Sequence, residues 1–286
     1  MKRPNILIFM TDQQRGDSIP PYGRALTPNL DKFSDEGITF SETYCPAPHC
    51  CPSRATFFSG MYPTEHGVWN NVNVANTLSK GLYQGVRLWS EDLRESGYDL
   101  YFSGKWHVSA IESPANRGWD MRGLKTEDCN QDNTIIHEKP EAPRWEQYKE
   151  IAEKEERVER KEAEIIRPGY PQYTHYGTTD NPFNDSNKVE DAIEKIKSRG
   201  DTEKPWCQFV GTLGPHDPYY VPQKFLNMYD IDDIELPDSF NDEMASIPNL
   251  YKRTKEPFSQ LTEEEHKEAV RHYLAFCTYE DYLFGK

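Results

Sequence analysis

Asn5-Ile6-Leu7-Ile8-Phe9-Met10-Thr11-Asp12 is the stretch from which the fold can be read. Its apolar run, closed by Thr11-Asp12, has the pattern of a strand buried on both faces of a parallel sheet. Asp12 would then sit just past the strand's C-terminal end, the edge of an open α/β sheet where ligands bind. Downstream, Thr27-Pro28 offers an N-cap and first-turn pair for a helix through Leu30, Phe33 and Glu36. Gly37 closes that helix, and Ile38-Thr39-Phe40 reads as the next strand, completing a crossover unit. The unit recurs: Ser90 caps a helix holding Leu93, Gly97 ends it, and residues 98–102 form a strand leading into Gly104-Lys105-Trp106-His107. A helix over 187–197 precedes a strand over 206–213, which ends at Gly214-Pro215-His216. Three strand ends thus deliver polar residues to one edge of a sheet.

Between these units, residues 144–167 carry Glu150/Lys154, Glu153/Arg157 and Glu156/Arg160 at i,i+4, the pattern of a solvated surface helix ended by Pro168-Gly169. It lies in a charged helical insertion at about 130–176 of what otherwise reads as one domain spanning 1–286. Thr262-Glu263-Glu264-Glu265 is a capping box opening a final helix through Val270, Tyr273, Leu274 and Cys277.

The 286 residues suffice for a large core, and 33 Lys plus Arg against 48 Asp plus Glu give a net charge of −15. Such a surface repels phosphate backbones and anionic lipid, so no nucleic-acid or membrane partner is expected. No apolar run nears the roughly 20 residues that span a bilayer, and the six after Met1-Lys2-Arg3-Pro4 are too few for a signal-peptide core. The six cysteines show no repeated spacing of a secreted disulfide framework. A cytoplasmic chain is expected, or a mature form whose leader is absent.

The densest chemical signal is Cys50-Cys51-Pro52-Ser53-Arg54, continued by Ser59-Gly60-Met61-Tyr62-Pro63. Pro52 suits the first position of a helix and Gly60 its end. Cys50 then lies at a helix N-terminus, where free amides and the helix dipole favour negative charge and part-activate a nucleophile. A zinc cluster of Cys45, His49, Cys50 and Cys51 lacks a second paired-cysteine half, and three prolines stiffen the segment. Cys51 reads as a packed residue and His66 as a structural turn histidine.

These residues resemble the sulfatase family of the alkaline phosphatase superfamily. Cys50 to Arg54 match its Cys-x-Pro-Ser-Arg signature. Thr11-Asp12, Thr27-Pro28-Asn29-Leu30, Gly104-Lys105-Trp106-His107 and Pro215-His216-Asp217-Pro218-Tyr219 agree with it in order. The resemblance implies an α/β fold, an alkaline-phosphatase-like three-layer sandwich with a mostly parallel central sheet and helices on both faces. It implies hydrolysis of a small-molecule or saccharide sulfate ester, with Cys50 oxidised to formylglycine by a maturase. One hydroxyl of the hydrated aldehyde would attack sulfur, and the second would collapse the adduct. A divalent cation, calcium by resemblance, would be held by Asp12 and position 50. Arg54, one turn past the nucleophile, would fix the diol. Lys105 would bind sulfate oxygens, His107 in an extended segment would take the hemiacetal proton, and His216 would protonate the leaving group.

Two departures stand out. Asp12 is followed by Gln13 rather than a second aspartate, a pattern of the choline-sulfatase and phosphonate-hydrolase branches, so a phosphonate monoester or phosphodiester hydrolase is the alternative enzyme. The family's remaining metal ligands, an Asp followed by His or Asn, belong after a strand that would follow the final helix. The chain therefore reads as an N-terminal portion, truncated at its C-terminus, and a catalytically incomplete fragment is the third reading.

Overall fold

In a computed structural model, the structure describes residues 3–74, 77–121, 159–167, 170–200 and 203–286. Strands β1 (Ile6–Met10) and β2 (Asp99–Gly104) flank a third, Trp206–Gly211, numbered β6 in chain order because three short strands intervene. The order β1-β6-β2 is parallel throughout, with Ile6 opposite Cys207 and Asp99 opposite Trp206. The intervening strands are β3 (Glu164–Arg167), β4 (Tyr170–Thr174) and β5 (Tyr176–Thr178); β3 pairs antiparallel with β4, and β5 pairs with β7 (Tyr219–Val221).

Alternation along the strands assigns their two faces. One face carries Ile6, Ile8, Met10, Leu100, Phe102, Cys207 and Phe209 against Cys51, Ala55 and Phe58 of helix α2 (Cys50–Ser59). Rings dominate there: Phe102 stacks on Phe209 at 4.7 Å and Phe58 meets Trp106 at 4.8 Å. Each fully buried ring contributes about 1.5–3 kcal/mol. The other face packs Phe9 and Val210 against Val189 and Ala192 of the long helix Asp185–Ser198, and against Ala275, Phe276, Tyr279 and Leu283 of the last helix, Glu263–Gly285. Among the described residues the remaining α-helices are α1 (Pro28–Glu36), α3 (Pro63–His66), α4 (Trp89–Glu95), α6 (Gln223–Leu226) and α7 (Asn249–Lys255), so Asp185–Ser198 is α5 and Glu263–Gly285 is α8. Helices on both faces of a parallel sheet make the expected three-layer α/β sandwich.

Several local expectations are corrected. Ile38-Thr39-Phe40 forms no strand: Ile38 and Phe40 are exposed, and the neighbour of β1 is β6. Alternating apolar residues signal a strand only where a sheet edge receives them. Ser90 does not cap α4. Its buried hydroxyl donates to Arg117 O, while Glu91 accepts from the Leu88 amide. Thr27 occupies the N-cap position of α1 but sends its hydroxyl to Asp31, and the amide of Leu30 is taken by Asp281 of α8 at 2.7 Å. Residues 164–167 of the expected surface helix are strand β3, because Tyr173 and Thr174 pair with them. Residues 159–163 of that expected helix are not helical either, and residues 144–158, with most of the insertion, lie outside the described residues. The capping box of α8 forms as read: Thr262 Oγ1 accepts from Glu265 N, and Glu265 accepts from Thr262 N. No helix among the described residues is long and apolar enough to cross a membrane.

Candidate active site

Asp12 lies two residues past β1, with its amide donating to Gly214 O at 3.1 Å. Lys105 and His107 follow β2, and His216 follows β6. The turn after β2 needs glycine: Gly104 has φ 97, and a Cβ there would sit 1.9 Å from Gly211 O. That close approach of β2 to β6 lets Lys105 N donate to Gly211 O at 2.9 Å and swings the lysine over the sheet edge. α2 begins at Cys50, two residues before Pro52, and ends at Gly60 in the left-handed region.

A compact knot results. The Cys50 thiol donates to Asp12 Oδ1 at 3.2 Å, and Lys105 Nζ is 3.9 Å from the sulfur. Asp12 Oδ2 receives Arg54 Nη2 at 3.1 Å and Lys105 Nζ at 3.2 Å. Arg54 also donates to Lys105 O at 2.8 Å, so one guanidinium ties the ends of β1 and β2 to α2. Asp12, Arg54 and Lys105 are all buried. Burial alone would raise the Asp12 carboxyl, but Lys105 and Arg54 together outweigh it and hold the group at about 2. Burial pushes the Cys50 thiol up to about 11; Lys105 opposes this and the Asp12 charge adds to it. Burial thus outweighs the pull of Lys105, and the charge of Asp12 adds to burial, so the thiol is held in its protonated form.

His216 joins the knot from β6: one ligand atom from each of Asp12, Cys50 and His216 lies within 4.8 Å of the other two. Its Nδ1 donates to Asp217 O at 2.6 Å. Asp217 is in turn bonded by the Tyr173 hydroxyl. His107 stands one step out, its Nε2 paired with Asn73 Oδ1 at 3.0 Å. It is not in an extended segment: its φ is 52, a left-handed conformation that costs a non-glycine residue about 1–2 kcal/mol. Burial, reinforced by Lys105 and Arg54, lowers its imidazole to about 3, so it is neutral at physiological pH.

Asn73 and Asn71 were not among the expected site residues; Asn71 Oδ1 accepts from Cys51 N at 3.1 Å, satisfying an amide in the first turn of α2. The signal was the Asn70-Asn71-Val72-Asn73 run, a cluster of amide side chains in one loop. Gln13 has φ 58, and its carbonyl accepts from Tyr273 OH at 3.0 Å. His66 is structural as read, bridging Thr56 and Val68 N. Cys51 is packed, with its sulfur accepting from Val72 N at 3.4 Å.

The donor set fits a calcium ion in part. Asp12 supplies one hard oxygen and an oxidised position 50 would supply another, whereas the His216 nitrogen is a poor calcium ligand and a full shell takes roughly six to eight oxygens.

The Sulfatase family model matches residues 4–286. The protein named Uncharacterized sulfatase YidJ, from Escherichia coli (strain K12), is 28% identical over 262 residues, covering 88% of this chain and 46% of that protein. A choline-sulfatase of Rhizobium meliloti (strain 1021) is 26% identical over 301 residues, covering 99% and 53%. The chain thus spans about half the length of these curated relatives. Among solved structures, phosphonate monoester hydrolase of Agrobacterium radiobacter matches with a TM-score of 0.64 at 22% identity, over 99% of this chain and 58% of that one. That likeness is one of fold, the alkaline-phosphatase-like sandwich. With its family matched from residue 4 to residue 286, the chain belongs to the sulfatase family.

Proposed function

We propose that these residues form the nucleophile side of a sulfuric ester hydrolase acting on a small-molecule or saccharide sulfate monoester. The observation that carries the reading is the Cys50 side chain held at the start of α2 between Asp12 Oδ1 and Lys105 Nζ, at 3.2 and 3.9 Å. Oxidised to formylglycine by a maturase and hydrated, position 50 would supply an oxygen nucleophile, with calcium adding charge neutralisation. A hydroxyl there can make the hydrogen bond to Asp12 that the thiol makes now. Asp12 orients it, and as an anion it accepts a proton-bearing donor without being protonated itself. Arg54 fixes Asp12 and keeps the site cationic. Lys105 meets sulfate oxygens as a point charge, stabilising the negative charge that grows on them in the transition state. His107, neutral, takes a proton at a ring nitrogen, and His216 gives one to the departing alcohol from Nε2. In a chain of net charge −15, this concentration of cations is what an anionic ester would be drawn to.

A second reading, hydrolysis of a phosphonate monoester by the same groups, is favoured by Gln13 after Asp12, the pattern through which the chain resembles the phosphonate-hydrolase branch.

The test is intact-peptide mass spectrometry of the segment holding Cys50 from the native host, where an aldehyde or its hydrate is expected. A wholly unmodified thiol would sink the mechanism. Parallel rates on aryl sulfates and aryl phosphonates separate the two readings, with sulfates expected to be the faster.

A further inference from the structure

Beneath the turn that carries His216 lies a buried ionic cluster that the proposed chemistry does not use. Asp185, the first residue of α5, is fully buried, as is Lys188, and their side chains pair at 2.9 Å. Asp185 spends its remaining acceptor capacity on main chain: it takes Leu213 N at 3.1 and 3.0 Å with its two oxygens, and Gly214 N at 2.8 Å. The carbonyls of the same two residues face the site. Gly214 O accepts from Asp12 N, and Leu213 O accepts from His216 N at 2.9 Å. Two peptide units are thus gripped from below by one carboxylate, and from above they fix the residue that orients the nucleophile and the residue that meets the leaving group. Glu280 of α8 closes the cluster against Gly214, where a Cβ would lie 2.0 Å from Glu280 Oε1.

We propose that Asp185 is a positioning residue, which sets the separation of Asp12 and His216 by holding the Leu213-Gly214 peptides. Lys188 keeps that carboxylate charged, since an isolated buried anion would take up a proton. Desolvation and the Asp185 charge both push the Glu280 carboxyl well above the usual range; desolvation raises that of Asp185 too, with Lys188 and the Leu213 and Gly214 amides opposing it.

The kinetic arm rests on the reading of His216 as the leaving-group acid; the exchange arm does not. In the matured protein, Asp185→Asn keeps shape but replaces one acceptor oxygen with a donor. Turnover should fall roughly 10- to 100-fold on esters with poor leaving groups, and less on activated aryl esters, with KM little changed. Amide hydrogen exchange, read by mass spectrometry whether or not any ester is turned over, should accelerate about tenfold or more in peptides covering 11–14 and 212–217, and stay unchanged in the interiors of β1 and β6. Lys188→Met should loosen the same two segments to a smaller degree, and it carries the exchange test if Asp185→Asn does not fold. Unchanged exchange in these segments, or acceleration spread evenly through the sheet, would overturn the proposal, as would equal turnover losses across the leaving-group series. If the unaltered protein turns over no sulfate ester, the functional reading fails while the exchange result still decides the role of Asp185.

Discussion

At the scale of single residues, Asp12 is where the site's charges balance. Its Oδ2 carries two cations and its Oδ1 the position-50 donor, so removing either cation changes what the carboxylate can do. Lys105→Ala should lower turnover by roughly 10²–10³-fold and weaken sulfate affinity, because a charge aimed at growing negative charge is lost. Arg54→Ala should cost turnover by a similar factor. It should also cost stability, about 3 kcal/mol, since it strands part of a buried ion pair and frees Lys105 O. Steady-state rates beside urea denaturation separate the two losses. His216→Ala should hurt esters with poor leaving groups most, because an activated aryl alcohol needs little protonation; equal losses along the series would rule His216 out as the acid. The family resemblance named Asp12, Cys50, Arg54, Lys105, His107 and His216 without coordinates, and the fold gathers Asp12, Cys50, Arg54, Lys105 and His216 with His107 one step out. Asp185 was not legible, because its partner lies 28 residues away, and the amide run that holds Asn73 does not name His107, 34 residues on, as its partner.

At the scale of elements, the apolar runs identified β1, β2 and β6, and the capping box identified α8, because burial on both faces and terminal hydrogen bonding leave local marks. The strand at Ile38-Thr39-Phe40 was misread because three alternating residues do not by themselves place a strand in a sheet, and the end of the charged insertion was misread because β3 owes its form to β4. The start of α8 is held by more than its own box. Glu265 also accepts from Arg160 through both oxygens, at 2.7 and 2.9 Å, and from Ala163 N at 2.9 Å. Its hydrogen bonds to Arg160, ahead of the burial that opposes them, hold the carboxyl at about 2 instead of 4.5. Because the folded-state value is the lower one, the stabilisation is present above pH ~4.5 and is lost as pH falls toward ~2; allowing for the solvent-facing side of Arg160, it is worth about 2 kcal/mol. Glu265→Gln should therefore lower stability at pH 7 by about that amount, and by much less near pH 2. Thermal denaturation of both proteins at the two pH values checks this, and an equal loss at both would show that charge is not what Glu265 contributes.

At the scale of the whole molecule, a three-stranded parallel sheet with β1 at one side shapes what this chain does alone. Among the described residues β1 pairs only with β6, and Leu7 of β1, Phe33, Ile38 and Phe40 are exposed, at 54%, 62%, 82% and 78%. A parallel sheet is stable when covered on both faces and paired on both edges, and an open apolar edge invites association with any available strand. The 286-residue chain should therefore self-associate in a concentration-dependent way in sedimentation velocity, and Leu7→Lys should reduce that association. The metal site bears on the same question. The described residues bring one carboxylate to the knot, and Lys105 and Arg54 already neutralise it, so little of calcium's affinity is available from Asp12 alone. Sites built from so few oxygens bind calcium weakly, no tighter than about 10⁻⁴ M. Isothermal titration of the 286-residue chain should find binding in that weak range, together with negligible sulfate-ester turnover even when position 50 has been converted. A soluble monomer of this length that binds calcium at micromolar concentration and turns over sulfate esters would place the metal's ligands elsewhere in these residues, and would remove Asp12 from the centre of the mechanism.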